Sequence, residues 1–354
     1  MPYIEGPAGF DFTSNGARVI VAGEGSSNVA LYDIAPWACI GTVDLMPGCQ
    51  PWEVVVDDSR QVAYVSQSNF RLNKKGPVRP SKLACVRLDP FELLWEVESG
   101  VGTNGVAFAP SLNRLFAANT RGNCVSVIDV STRKLCAEIE TGDGPFSVAL
   151  SPDETRVAVT NQLSGTVGFI DAVNLELETE VWVSPEPGML EYILENSDYP
   201  AGPAYIEFAT EVKTNQGLNV EPAFVASIAW HPTDGRVYCA NFDQGILIGI
   251  DADSRKVMNV ASVVQTPYSI AVSKNGELGV VTDDQLRRLS VFTEGMTHVS
   301  RDVEYEVDGP FELLSDLSFC SFDPANEFLW IADSRNHLMN RVAVEDLART
   351  ATTT

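Results

Sequence analysis

Histidine is scarce in this chain. Three imidazoles in 354 residues, His231, His298 and His337, are too few to build a zinc or copper site from several histidines. Positive charge is scarce as well: 24 Lys+Arg stand against 48 Asp+Glu, for a net charge of -24. Nucleic acid and anionic membrane surfaces both call for a positive field, so binding to either by bulk electrostatics is excluded. No stretch approaches the roughly 18 apolar residues of a membrane helix, and the start Met1-Pro2-Tyr3-Ile4-Glu5-Gly6 lacks the character of a secretory signal. The seven cysteines are odd in number, and none falls in a Cys-x-x-Cys pair. Most lie in apolar runs, where a free thiol behaves as a small hydrophobe, and this reads as a reducing cytoplasm. A mature secreted form, its signal removed, is the competing explanation. Neither a Gly-x-Ser-x-Gly elbow nor a Gly-x-x-x-x-Gly-Lys phosphate loop is present.

What is present is a repeat. Leu150-Ser151-Pro152-Asp153 followed by Arg156-Val157-Ala158-Val159-Thr160-Asn161 returns as Phe108-Ala109-Pro110-Ser111 with Arg114-Leu115-Phe116-Ala117-Ala118-Asn119. It returns again as Trp230-His231-Pro232-Thr233 with Arg236-Val237-Tyr238-Cys239-Ala240-Asn241, and weaker copies begin near residues 14, 58, 274 and 324. The unit is about 42 residues, and each reads as four short strands separated by Gly, Pro, Asp and Asn turns. Seven such units predict an all-β, seven-bladed β-propeller with four-stranded antiparallel blades, the whole of 1–354 as one domain. Closure of the ring is expected through Tyr3-Ile4-Glu5 as the outer strand of the last blade, with Ala351–Thr354 as the other choice.

The run Pro145-Phe146-Ser147-Val148-Ala149-Leu150-Ser151-Pro152-Asp153, the Val-Ala-Val-Thr-Asn after it, and Gly165-Thr166-Val167-Gly168-Phe169-Ile170-Asp171 together resemble the YVTN-type propeller repeat. That group is similar to lactonase-like propellers and to the heavy chain of methylamine dehydrogenase. The resemblance implies the fold, and little about activity, because function resides in sites grafted onto a scaffold.

Three blades carry extra residues, at about 68–82, 185–222 and 309–318. In this strand order the links between strands two and three and the links between blades share one face of the disc. The insertions therefore mark that face, the mouth of the central channel, as the working surface. The first holds five basic residues and no acid, a local reversal of sign that would steer an anionic ligand, with Arg71 a candidate contact, or dock an acidic partner. A solvated loop kept soluble by its charges fits equally well. In the second, Leu190, Ile193 and Leu194 share a helical face, as a lid or a subunit contact would need.

Equivalent positions form rings. Asn119, Asn161 and Asn241 end the second strands, in company with Gly23, Gln67, Asp283 and Asp333; such side chains usually bond backbone in the adjoining turn, and are also candidate ligand contacts. Asp283, Asp284 and Asp333 on neighbouring blades suit a divalent cation such as calcium, or a carboxyl of raised pKa. Where the chain enters the first strands, Trp52, Phe146, Tyr268 and Phe311 each follow a proline, an aromatic wall for a small apolar ligand or plain packing between blades. Glu53 and Glu312 lie beside that wall as candidate acids or bases, and His337 is the one histidine on the mouth face. Two functions stay open. One is a cytoplasmic small-molecule protein with lactonase-like hydrolase, lyase or isomerase chemistry in a lidded funnel and no required cofactor. The other is a non-catalytic scaffold that docks a protein partner, or a second copy of itself, on the decorated face.

Overall fold

The second and third strands of each repeat are unbroken apolar runs, which is how strands covered on both faces read. In Arg156–Asn161 and Thr166–Asp171 all but one residue of each strand is buried. Fourth strands alternate instead, as in Ala38–Asp44, where the side facing solvent is exposed. A computed structural model describes residues 4–69, 79–183, 224–242, 244–305 and 317–351. It arranges them as seven antiparallel sheets in sequence order, a seven-bladed β-propeller: six blades have four strands, and the last has three among the described residues.

Each seam between neighbouring blades holds its own apolar cluster, seven in all. One of them closes the ring, and the closure differs from the expected one. Leu317–Phe322, Phe328–Asp333 and Leu338–Ala343 form the last blade, and among the described residues no fourth strand is added to it. After Ala343 the chain turns into a helix, Val344–Ala351, whose Leu347 and Ala351 are buried against the sixth and seventh blades. Val344, Leu347, Ala348 and Ala351 recur at helical spacing, which an alternating strand would not use. The N-terminal segment contributes side chains and caps. Ile4 is buried among Phe10, Phe12 and Trp330, and the Gly6 N–H donates to His337 Nδ1 at 2.8 Å. The blades at the closure are thus joined by packing, with Trp37 stacked on both Tyr32 and Trp330.

The two faces are fixed by contacts between turns. Links between strands two and three bond links between blades, as Leu45 N–H to Ser27 O at 3.0 Å. Links between strands one and two meet those of the neighbouring blade on the other face, as Ser14 N–H to Asp58 Oδ2 at 2.6 Å. The described ends of all three insertions belong to the first face. Their bodies, with Arg71, Phe311, Glu312 and the 190–194 segment, lie outside the described residues.

Candidate functional site at the channel mouth

The seven first strands wall the channel, and each pairs with its neighbour through a register shift, as between Pro51 and Val54, Pro145 and Val148, or Pro267 and Ile270. A bulge leaves one backbone N–H outside the ladder. A hydroxyl of the second strand takes it up: Ser66 Oγ accepts from Glu53 N–H at 2.9 Å, Thr160 Oγ1 from Ser147 N–H at 3.0 Å, and Thr282 Oγ1 from Ser269 N–H at 3.3 Å. The side chain of that same residue reaches the next blade. Glu53 Oε2 accepts from Val106 N–H at 2.7 Å, Ser227 Oγ from Ile270 N–H at 3.3 Å, and Ser269 Oγ from Cys320 N–H at 3.1 Å. Where the position is glycine, neighbouring backbone occupies the space. A Cβ on Gly9 would stand 2.4 Å from the Trp52 carbonyl oxygen, and one on Gly105 would stand 2.6 Å from that of Phe146. Around the neck this position therefore runs Gly, Glu, Gly, Ser, Ser, Ser and Phe, from Gly9 to Phe319. Glu53 is its one ionisable member.

Above the neck the aromatic wall is brought together, as a cluster of touching rings. Phe146 lies 5.8 Å from Trp52, 5.9 Å from Phe224 and 6.2 Å from Tyr268, centroid to centroid. Phe242 completes it, 5.5 Å from Phe224 and 6.3 Å from Tyr268. Edge-to-face contacts of this kind are favourable beyond the area they bury. Sequence reasoning passed over Phe242, although it directly follows Asn241 at the end of a second strand. The rings close most of the expected funnel. The cavity beneath them measures about 10 Å³, and Glu53, Ser147, Ser227 and Ser269 line it together with Phe319 and the aromatic rings. It admits one water-sized group.

The electrostatics of the neck follow from its narrowness. Glu53 keeps accessible surface toward the channel, but protein surrounds it otherwise, and this burial pushes its carboxyl up to about 8. The Val106 hydrogen bond works against the shift, and the charge of Asp11 adds to it. Asp11, on the first strand of blade one, is raised to about 6, again by burial foremost. Hydrogen bonds from Val56 N–H and Phe12 N–H, both 2.8 Å, oppose that rise. Near pH 7 Glu53 is therefore mostly a neutral acid and Asp11 mostly a carboxylate. Asp11 escaped sequence reasoning because its position in the repeat is otherwise filled by small apolar residues or serine.

The amides of the ring bond within the protein. Asn119, Asn161 and Asn241 are fully buried. Asn119 donates to Ser126 Oγ at 2.8 Å and accepts from Thr103 Oγ1 at 2.6 Å; Asn161 donates to Thr166 Oγ1 at 3.0 Å; Asn241 accepts from Gln244 N–H at 3.2 Å. Their side chains are buried within the blades. Asp283 accepts from Thr266 Oγ1 at 2.7 Å and from Gln285 and Leu286 N–H, and Asp333 accepts from Asn336. Asp283 ties its own turn to the link entering its blade, Asp333 serves its own turn, and Asp284 follows Asp283 in the same turn. Among the described residues no three His, Cys, Asp or Glu side chains gather as a metal site. His337 is occupied with Gly6 and stands at the closure.

No protein-family model matches the chain, and no curated protein matches it. Solved structures do: 1666 chains match by fold. One of them, hydrazine synthase of Kuenenia stuttgartiensis, aligns with a TM-score of 0.71 over 96% of this chain and 96% of that chain, at 13% identity. At that identity the likeness shows the propeller fold and leaves the chemistry open. The chain also has no helix long and apolar enough to cross a membrane among the described residues. All seven cysteines are unpaired, and five are buried.

Proposed function

We propose that this protein binds a small organic molecule at the channel mouth, over the aromatic rings, with Glu53 as the acid that addresses it. The observation that carries the reading is a single ionisable group at the neck, raised to about 8, directly beneath an aromatic cluster. Apolar walls with a few convergent polar groups are the usual make-up of a small-molecule site. A neutral carboxylic acid at physiological pH suits general acid catalysis, so a hydrolase, lyase or isomerase step is the chemistry this arrangement would support. The unpaired cysteines fit a cytoplasmic setting for it. A metabolite-panel thermal-shift screen tests the reading. Ligands that raise the melting temperature of the wild type are expected to lose that effect in Tyr268→Ala and Glu53→Ala, with both variants still folded. Hits that persist in both variants would place the site elsewhere.

The second reading is a non-catalytic scaffold, docking a protein or a second copy on the face that bears the insertions. The smallness of the neck cavity favours it. A stable co-purifying protein, with no hit in the same panel, is the result that would select it.

A further inference from the structure

The polar groups at the neck have unequal hydrogen-bonding capacity left. Ser227 Oγ already accepts from Ile270 N–H, and Ser269 Oγ accepts from both Cys320 N–H and, at 3.5 Å, the Cys320 thiol. A hydroxyl has one proton to give, and in these two the oxygen is already engaged as an acceptor. Ser147 Oγ has no hydrogen-bond partner among the described residues and can rotate its proton inward. Glu53 accepts through Oε2 from Val106 N–H, and its other oxygen remains for a proton that burial holds in place near neutral pH. The neck thus presents up to four protons, from three hydroxyls and the acid, to a space that takes one second-row atom. Among the described residues, aromatic rings lie above it. An ammonium group has no lone pair with which to receive those protons. An anion would meet the field of Asp11, the one charged group set against Glu53 from a neighbouring strand among the described residues.

Resting on the small-molecule reading above, we propose that the site takes a neutral carbonyl compound (a ketone or aldehyde), with its apolar body on the Trp52–Phe146–Tyr268 rings and its carbonyl oxygen in the neck between Glu53 and the serine hydroxyls. The oxygen accepts from the acid and the hydroxyls at once, and the rings cover the rest. Glu53 donates only while protonated, so binding is strongest below about pH 8 and weakens as pH rises through that value. Asp11 on the first blade is ionised earlier, near pH 6, and its charge adds to the burial that holds the Glu53 proton.

Four probes of similar size test this on the intact protein by ligand-observed NMR: acetophenone, benzoate, benzylammonium and ethylbenzene. Acetophenone is expected to bind about tenfold more tightly than the other three at pH 7, and to lose about tenfold in the Ser227→Ala/Ser269→Ala variant, the usual scale for lost hydrogen bonds. Its affinity should fall between pH 7 and pH 9 in the wild type and stay level in Glu53→Gln, whose amide donates at every pH. Benzylammonium or ethylbenzene binding as well as acetophenone, at a site blocked by Tyr268→Ala, overturns the carbonyl assignment and leaves the small-molecule reading standing. If no probe binds at all, the small-molecule reading itself falls, and this assignment with it.

Discussion

At the residue scale, one position of the repeat explains most of the channel. It is the residue at the bulge of each first strand, Gly9 to Phe319, where a backbone N–H is freed and the next blade comes close. Glycine solves the close approach and serine caps a neighbouring N–H. Glutamate at position 53 does the serine's task with a longer, ionisable arm. That substitution has a cost with a definite pH dependence. Below about pH 4.5 the acid is protonated whether the chain is folded or not; between that and about 8 only the folded state holds the proton. Stability therefore falls as pH rises through this window and levels off above it. Glu53→Gln lacks the dependence while keeping the Val106 hydrogen bond. Its melting temperature relative to wild type is expected to rise between pH 5 and pH 9; a difference that stays constant contradicts the buried-acid account. Glu53 was legible in the sequence through its place after Pro51-Trp52. Its function as a cap on the next blade was not, because no spacing within one repeat reveals a bond to the following one.

At the scale of elements, the strands were legible and the ends were not. Val157-Ala158-Val159 and its counterparts announce second strands buried on both faces, and the acidic residues Asp129, Asp171 and Asp251 do end third strands. The closure was misread because the last residues were counted against the length of a strand. Val344, Leu347, Ala348 and Ala351 already carried the helical spacing that the structure uses. That helix packs on blades six and seven, beside a last blade of three strands among the described residues, so it bears on the stability of the closure. Leu347 is about as buried as any residue of its cluster. Leu347→Ala is expected to cost roughly 2–5 kcal/mol in denaturant unfolding, the range for large-to-small changes in a core. A loss below about 1 kcal/mol would mean the helix is an ornament on an already closed ring.

At the scale of the whole molecule, the excess of acid is spread over a disc whose interior is held by seven apolar seams. The repeat arithmetic alone gave that architecture, since each unit needs a neighbour to cover its faces and seven units in turn make a ring. The chemistry at the centre was only half legible. Trp52, Phe146 and Tyr268 were visible as a ring of positions, but whether they line an open funnel or touch one another depends on the channel's diameter, which all seven blades set together. The same narrowness desolvates Glu53. The account thus turns on a single property: a carboxyl that the assembled ring keeps neutral at pH 7. Carboxyl-carbon NMR of the folded wild type, with Glu53 assigned through the Glu53→Gln variant, measures it directly. A titration midpoint near 8 is expected. A midpoint near 4.5, the ordinary value for a glutamate, would show a solvated carboxylate at the neck and contradict the account.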